Sequence, residues 1–232
     1  MKILLIIPAY NEADNIEKLV NVIRDYYPQY DYLIVNDCSS DNTKKILDEI
    51  RANYVDLSVN LGIGGAVQTG YRYAYQNGYD IAIQVDGDGQ HDVSYVKKLV
   101  EPIEKGEADI CIGSRFIEKE GFQSSATRRL GINILSNLIW MCTGKRVYDV
   151  TSGFRAVNRR FIEVYMRNYP QDYPEPEAIV AAVMNGGRLQ EVAVQMKERE
   201  GGESSINFKR SIYYMIKVSL AIVVCRLGYV RK

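Results

Sequence analysis

The chain has 232 residues, a length that suits one domain with a single sizeable core. Hydrophobic residues make up 47% of the sequence and charged residues 25%, which excludes disordered, collagenous and disulfide-scaffold proteins. Lysine plus arginine and aspartate plus glutamate both number 29, so the net charge is zero and nucleic acid is not expected as a partner.

Histidine and cysteine content limit the chemistry further. The single histidine, His91, excludes a multi-histidine zinc site and leaves a Ser-His-Asp triad only through that residue. The four cysteines are widely spaced without a CxxC pair, which is typical of buried thiols in a reduced, cytosolic protein. The apolar N-terminal run leads directly into a polar segment without a cleavage site, so we expect a strand there and not a signal peptide.

The first half of the chain alternates apolar runs with helical patterns, which predicts βαβ units and a largely parallel sheet. Strands are expected at residues 3–8, 32–35, 55–59, 81–85 and 109–113. Helices are expected at residues 13–26, where apolar side chains share one face, and at 41–50 and 93–104. Asp41 is expected to cap the second of these helices.

The order of elements changes after Arg115. A polar loop is followed by predicted helices at 127–142 and 177–185, with an SGFR segment between them, and by a strand at 189–196. A glycine-rich turn and a C-terminal helix follow, and no linker divides the chain. The apolar run of that helix, residues 212–225, would extend about 21 Å, less than the roughly 30 Å of a bilayer's hydrocarbon core, so we do not expect it to span a membrane alone.

Two aspartates flank a glycine directly after the predicted strand at 81–85. Ligands of open α/β sheets bind at the carboxyl ends of the strands, where carboxylates can hold a hard divalent cation. Asp86, Asp88 and the nearby amide of Gln90 therefore predict a site for Mg²⁺ or Mn²⁺, which such oxygen ligands favour over zinc. The alternative is a turn whose aspartates cap the next helix. His91 would either contact a phosphate or hydrogen-bond this turn.

Three other loops at predicted strand ends carry candidate binding residues. Asp37 follows the second strand, where its carboxylate can accept a hydrogen bond from a nucleobase or ribose. Residues 60–66, which include Gly65, open a helix whose N–H groups suit a phosphate, or they form only a tight turn. The loop after the first strand presents the ring of Tyr10 and the carboxylate of Glu12, or is simply a surface loop.

The chain resembles the family 2 nucleotide-sugar glycosyltransferases of the GT-A fold in seven ordered segments: IPAYNE, VNDCSSDNT, NLGIGGAVQTG, QVDGDGQHD, GSRF, SGFR and EREGGES. The resemblance covers about residues 2–208 and is greatest to the dolichol-phosphate mannose synthase branch, which includes bacterial polyprenyl-phosphate and cell-wall glycan transferases. It implies an α/β GT-A domain over residues 1–208, with a mostly parallel central sheet flanked by helices. Residues 209–232 are then a C-terminal amphipathic helix.

The resemblance implies roles for the donor-side motifs. Around the base and ribose of a nucleotide-diphosphate sugar it places Pro8, Tyr10, Glu12 and Asp37. The metal-bearing DxDxQ motif of the family matches Asp86, Asp88 and Gln90. A cation bound there would stabilise the departing diphosphate. The resemblance thus implies a catalytic role for Asp88. Arg199 matches an arginine that the family uses on the donor diphosphate, or is a loop charge.

Two departures from the branch are visible in the segment where it usually has DDG. This chain has Asn36, Asp37 and Cys38 at those positions. Asn36 weakens any role for the first carboxylate of that motif, whereas Asp37 stays in place.

The resemblance also implies an acceptor site. Arginines that bind the lipid phosphate in the polyprenyl-phosphate branch match Arg115, Arg128 and Arg129. Guanidinium groups suit a phosphate better than a neutral sugar, although a pair at a helix start can be solvated charges. Glu177 lies where the family places an acidic residue beside the acceptor. It would be a general base toward a sugar hydroxyl, or only a carboxylate stabilised by the helix dipole.

Three hypotheses for the function follow. The first is an inverting transfer of a sugar from a nucleotide-diphosphate sugar to undecaprenyl or dolichyl phosphate in cell-wall or surface-glycan synthesis. The second has the same donor and a hydroxyl of a lipid-linked glycan, such as a rhamnose-containing polysaccharide, as the acceptor. The third is a non-catalytic nucleotide-sugar-binding subunit, against which the intact Asp86 and Asp88 argue.

Basic residues flank the apolar C-terminal run. This pattern indicates a helix at a membrane surface, or one packed on the domain or on a membrane partner subunit. We therefore expect a cytoplasmic protein that is peripheral at the inner face of the cell membrane.

Overall fold

The structure is a computed structural model that describes residues 1–118, 126–196 and 208–230. Within these residues one sheet contains β1 (Ile3–Ala9), β2 (Asp31–Asn36), β3 (Tyr54–Asp56), β4 (Ile81–Gln84), β5 (Ile110–Ser114), β6 (Arg155–Asn158) and β7 (Leu189–Ala193). The helices are α1 (Ile16–Tyr26), α2 (Thr43–Glu49), α3 (Gly62–Gln76), α4 (Val96–Glu104), α5 (Ala126–Thr143), α6 (Arg159–Arg167), α7 (Pro174–Met184) and α8 (Phe208–Val230).

The sheet is mostly parallel, as the alternation of strands and helices predicts. Its strand order is β3-β2-β1-β4-β6-β5-β7, and among the described strands only β6 runs antiparallel to its neighbours, β4 and β5. The carboxyl ends of the other strands and the start of β6 therefore meet at one edge of the sheet. Ligands of open α/β sheets bind at such an edge. We call it the donor edge.

Both faces of the sheet are buried, because successive residues of a strand point to opposite sides. On β1, Leu4 and Ile6 belong to the core that α3, α5, α6, α7 and α8 cover. Leu5 and Ile7 belong to the core on the other face, which α1, α2 and α4 cover. The helices therefore flank the sheet on both sides and leave its edges to the loops.

The region after β5 differs most from the sequence expectation. β6 and α6 were not predicted as elements. β6 is four residues long and begins with Arg155, which is buried, so it lacks the apolar run that marks a strand. α7 begins at Pro174, earlier than the predicted residue 177, because proline is well suited to the first turn of a helix.

Asp41 stabilises the start of α2, as expected. Its Oδ1 accepts hydrogen bonds from the backbone N–H of Thr43 at 2.9 Å and from the Thr43 hydroxyl at 2.6 Å. Its Oδ2 accepts the N–H of Ala13 at 3.2 Å, which ties the loop before α1 to α2. Asn42 holds the formal N-cap position, so Asp41 caps the helix from one residue earlier.

The C-terminal helix, α8, packs against α5 and α7. Within the described ranges, we find no helix with enough length and apolar character to cross a membrane. The division of the chain into residues 1–208 and 209–232 stays a prediction.

Candidate active site

Asp86 follows β4 after one intervening residue, Val85, and lies in a turn that is held by hydrogen bonds with buried side chains. Nε2 of Gln84 donates to Asp86 Oδ1 at 3.0 Å, and the backbone N–H of Asp86 donates to His91 Nδ1 at 3.0 Å. His91 is buried, stacks on Phe154 with ring centroids 4.8 Å apart, and places its Nε2 3.6 Å from Asp86 Oδ2. Because Nδ1 accepts a hydrogen bond, a neutral imidazole carries its proton on Nε2. Of the two roles expected for His91, the structure shows the hydrogen bond to the turn.

Asp88 and Gln90 complete the turn and are both partly exposed. The backbone N–H of Gln90 donates to Asp88 Oδ1 at 3.0 Å. The side chains of Asp86, Asp88 and Gln90 offer oxygen ligands, which is the donor set that Mg²⁺ and Mn²⁺ prefer. The described residues contain no group of three or more histidine, cysteine or acidic side chains that could hold a metal ion. A metal site at this turn stays a prediction.

The loop after β1 packs against this turn. A Cβ atom at Gly87 would lie 3.0 Å from the carbonyl oxygen of Pro8 and 3.5 Å from Cγ of Glu12. The Glu12 carboxylate accepts a hydrogen bond from the side chain of Asn15 at 3.0 Å. Tyr10 lies in the same loop and is 50% exposed. Pro8, Tyr10 and Glu12 thus lie at the donor edge beside the aspartates, and their contact with a nucleoside stays a prediction.

Asp37 is buried at the end of β2, with 3% of its surface exposed. Its backbone N–H donates to the carbonyl of Ala9 at 2.9 Å, and its Oδ1 accepts the N–H of Leu61 at 2.7 Å. Asn60 donates from its side chain to the Asp37 carbonyl at 3.1 Å. Asp37 therefore joins the loops after β1 and before α3. A hydrogen bond from Asp37 to a base or ribose stays a prediction.

The departure at residue 36 has a structural reason. Nδ2 of Asn36 donates to Asp56 Oδ1 at 2.7 Å, and Oδ1 of Asn36 accepts from the Ser39 hydroxyl at 2.6 Å. An aspartate at position 36 would place a second carboxylate against Asp56. Cys38 has φ +59°, a conformation that a glycine adopts at lower cost.

The glycine-rich start of α3 is covered by the loop before α7. The N–H of Gly64 donates to the carbonyl of Gln171 at 3.0 Å. A Cβ atom at Gly64 would lie 2.1 Å from the Pro170 carbonyl oxygen, and one at Gly65 would lie 2.4 Å from Cβ of Leu61. These glycines therefore permit close packing at the start of α3. A phosphate contact of Gly65 stays a prediction.

Arg115 forms a buried ion pair with Asp149, a residue that sequence reasoning missed. Arg115 is 7% exposed and Asp149 is 0% exposed. Both carboxylate oxygens of Asp149 accept from the guanidinium at 2.7 Å, and Oδ2 also accepts the Arg115 backbone N–H at 3.1 Å. Burial opposes the charge of Arg115, but the hydrogen bond and charge of Asp149 outweigh it, so the pKa of Arg115 is raised. The signal for Asp149 was an aspartate within an otherwise apolar stretch before SGFR.

The structure brings Arg128 and Arg129 to the same place. Arg115 and Arg129 both lie over the ring of Phe116, with the guanidinium carbons 5.3 Å and 5.5 Å from its centroid. Partial burial and the positive charge of Arg115 lower the pKa of Arg128. Arg115 directly follows the carboxyl end of β5, so these three arginines lie at the donor edge, and the charge of Asp86 contributes to the raised pKa of Arg115. We call them the arginine cluster.

The two glutamates in the first turn of α7 face different neighbours. Burial raises the pKa of Glu175, the positive charge of Arg155 partly opposes this rise, and the negative charge of Asp86 adds to it. Burial and the charge of Asp172 raise the pKa of Glu177. Glu175 is thus the glutamate whose charge interacts with the donor edge. A catalytic role for Glu177 stays a prediction.

The candidate Arg199 lies outside the described residues. Its predicted contact with the donor diphosphate stays a prediction.

The fold is that of the GT-A glycosyltransferases. A structure of glucosyl-3-phosphoglycerate synthase from Mycobacterium tuberculosis, solved with Mn²⁺, UDP-glucose and phosphoglyceric acid, superposes with a TM-score of 0.73 at 18% identity. The superposition covers 98% of this chain and 80% of the synthase chain. The same enzyme in complex with phosphoglyceric acid alone gives a TM-score of 0.70 over 98% of this chain and 79% of that one. The predicted α/β fold is therefore confirmed.

The chain belongs to glycosyl transferase family 2, whose model matches residues 4–166. It is 28% identical over 229 residues to polyprenol monophosphomannose synthase of Mycolicibacterium smegmatis, covering 93% of this chain and 85% of that protein. It is 32% identical over 214 residues to UDP-N-acetylglucosamine–dolichyl-phosphate N-acetylglucosaminyltransferase of Methanococcus voltae, and the match covers 83% of this chain and 84% of that protein. It is 30% identical over 218 residues to undecaprenyl-phosphate mannosyltransferase of Micrococcus luteus, and the match covers 89% of this chain and 88% of that protein. The resemblance seen in the motifs is confirmed.

Proposed function

We propose that this enzyme transfers a sugar, with inversion, from a nucleotide-diphosphate sugar to a polyprenyl phosphate in cell-wall or surface-glycan synthesis. The observation that carries the proposal is the arginine cluster, in which Arg115 and Arg129 lie over one phenylalanine ring directly after β5, at the donor edge. Guanidinium groups at this position suit an anionic acceptor. Three relatives are named for polyprenol, dolichyl-phosphate and undecaprenyl-phosphate acceptors, which supports the same class of acceptor here.

The chain's residues divide the work between donor and acceptor. Asp86, Asp88 and Gln90 would hold Mg²⁺ or Mn²⁺, which as a Lewis acid stabilises the departing nucleoside diphosphate. Arg128 and Arg129 retain exposed or partly exposed surface and bind the acceptor phosphate, while Arg115, held by Asp149, adds positive charge beside them. A phosphate oxygen is already anionic, so the acceptor needs no general base.

A second candidate has a hydroxyl of a lipid-linked glycan as the acceptor. The observation that favours it is the pair of α7 glutamates, Glu175 and Glu177, whose pKa values are both raised by burial. A carboxylate with a raised pKa suits a general base, which a neutral hydroxyl requires.

We expect the purified protein with Mg²⁺ or Mn²⁺ to transfer labelled sugar to undecaprenyl phosphate from one donor in a panel of UDP-, GDP- and dTDP-sugars. Glu177→Gln and Glu175→Gln should each keep the rate within about threefold, because no proton is removed from the acceptor. The measurement is the labelled lipid product after extraction. Transfer to a lipid-linked glycan alone, with a loss of about a hundredfold or more in either glutamate variant, would instead establish the hydroxyl acceptor.

We also propose that the α5–α8 surface binds the inner face of the cell membrane. Large apolar side chains of both helices are exposed: Ile134, Trp140, Met141, Leu220, Val224 and Leu227. The sequences of the two helices contain six lysine or arginine residues and no aspartate or glutamate. Helices whose sequences combine apolar and basic residues suit an anionic lipid surface, and Arg128 and Arg129 of the arginine cluster lie near the start of α5.

The double substitution Leu220→Glu and Val224→Glu is expected to weaken binding to phosphatidylglycerol-containing vesicles by about tenfold or more, because it removes apolar contacts and adds negative charge. Co-sedimentation measures the bound fraction. Tyr26→Glu is the matched control, since Tyr26 is 73% exposed on α1 and lies on the other side of the sheet. Failure of the wild-type protein to bind such vesicles would point to a membrane partner subunit instead.

A further inference from the structure

Gln84 is the last residue of β4, and its side chain lies buried behind the Asp86 carboxylate with 1% of its surface exposed. Its Nε2 donates to Asp86 Oδ1 at 3.0 Å. Its Oε1 is also buried and, in the part of the chain that the structure describes, has no hydrogen-bond partner. A buried carbonyl without a partner lowers the stability of the fold. The amide therefore gives Asp86 a hydrogen bond at a cost in stability.

Gly153 leaves the space that this hydrogen bond needs. A Cβ atom at Gly153 would lie 2.7 Å from Nε2 of Gln84 and 3.1 Å from both carboxylate oxygens of Asp86. Any larger residue would meet the amide and the carboxylate together. The loop is held in place by Arg155, which is 1% exposed and donates to the carbonyl of Ser152 at 2.6 Å.

Asp86 is thus enclosed by groups from three parts of the chain. Gln84 binds Oδ1, Nε2 of His91 lies 3.6 Å from Oδ2, and Gly153 packs against both oxygens. Of these contacts, only the hydrogen bond from Gln84 meets a normal donor–acceptor distance to the carboxylate. This hydrogen bond therefore sets the rotation of the Asp86 carboxylate about its Cβ–Cγ bond.

We propose that Gln84 is a positioning residue that holds the Asp86 carboxylate in the orientation that serves a divalent cation and the donor diphosphate. The inference rests on the proposed function, because it concerns the same site. Hydrogen-bond partners behind a carboxylate ligand fix its orientation, and their loss typically lowers metal affinity by about 10- to 100-fold. A merely structural role for Gln84 would instead show as a loss of stability.

Gln84→Met separates these two roles, since methionine has a similar length and lacks both the N–H donor and the unpaired carbonyl. We expect the midpoint of urea unfolding to stay unchanged or rise, because the buried Oε1 is gone. We expect the affinity for Mn²⁺, measured by titration calorimetry with UDP, GDP or dTDP present, to fall about tenfold. Affinity for the nucleotide without Mn²⁺ should not change.

Two further variants test the same hydrogen bond. Gly153→Ala places a methyl group against the amide and should weaken Mn²⁺ binding to a similar extent. Ser136→Ala is the control, because it removes a different buried hydrogen bond, from α5 to the carbonyl of Val147. It should lower stability and leave Mn²⁺ affinity at the wild-type value.

Wild-type Mn²⁺ affinity in Gln84→Met would overturn the inference and leave the proposed function intact. An equal loss of Mn²⁺ affinity in Ser136→Ala would overturn it as well, since the effect would then be general. If the wild-type protein binds Mn²⁺ with none of the three nucleotides, the proposed metal-dependent donor site fails, and the role of Gln84 fails with it.

Discussion

Replacing Asp88 by asparagine is expected to lower kcat for sugar transfer by about 100- to 1,000-fold and to leave the protein folded. The charge of Asp88 would be lost from the proposed cation and diphosphate site, where it would support the departure of the nucleoside diphosphate. The fold should persist, because an asparagine carbonyl can still accept the Gln90 N–H that Asp88 Oδ1 accepts at 3.0 Å. Labelled-sugar transfer measures the rate, and urea unfolding measures the stability.

The matched control for this substitution is Asp80→Asn. Asp80 precedes β4 at the opposite end of the strand, where its carboxylate accepts the N–H of Lys2 at 2.7 Å. It should keep transfer within about twofold of the wild type, since surface changes away from a site have small effects. Transfer by Asp88→Asn at the wild-type rate would show that this carboxylate takes no part in the reaction.

Asp149→Ala should destabilise the protein by about 3–5 kcal/mol, because it leaves the buried charge of Arg115 without its partner. Asp149 is 0% exposed and binds the Arg115 guanidinium through two hydrogen bonds of 2.7 Å. The free energy of unfolding in urea measures the effect. Glu163→Ala, which breaks the exposed ion pair of Glu163 with Arg167, should produce no measurable change.

A double variant separates the effect of losing the whole Arg115–Asp149 ion pair from the effect of leaving Arg115 buried without its partner. Arg115→Met combined with Asp149→Leu removes both charges and should recover most of the stability lost in Asp149→Ala. It should not recover transfer activity, because Arg115 adds charge to the arginine cluster. If the double variant is as unstable as the single one, packing at position 149 and not the unpaired charge explains the loss.

The strands that sequence reasoning found are those with continuous apolar runs, such as residues 3–8 and 81–85. β6 escaped because a buried arginine opens its four residues, and its pairing with β4 and β5 depends on contacts far apart in the chain. α6 did carry a signal, since Phe161, Ile162 and Tyr165 are buried on one face. This pattern was missed because the helix is short and its sequence, RRFIEVYMR, is rich in arginine.

For the site, the position of Asp86 and Asp88 was predictable because they directly follow an apolar strand. The residues that contact the site residues could not be predicted from the sequence. Gln84 reads as an ordinary polar residue within a strand, and Asp149 pairs with an arginine 34 positions away. Glu175 and Glu177 both lie in one helical turn, and only the packing of α7 decides which of them has its pKa raised by the charge of Asp86.

The reversed direction of β6 has a consequence for how substrate preference can diverge. Because β6 brings its amino end to the donor edge, residues late in the chain reach a site whose nucleotide side is built early in the chain. Among the described candidates, those for the donor precede residue 92, and those for the acceptor follow residue 114. Under the proposed function, changes in the later stretch would therefore alter the preference for the lipid or glycan acceptor more than the recognition of the nucleotide.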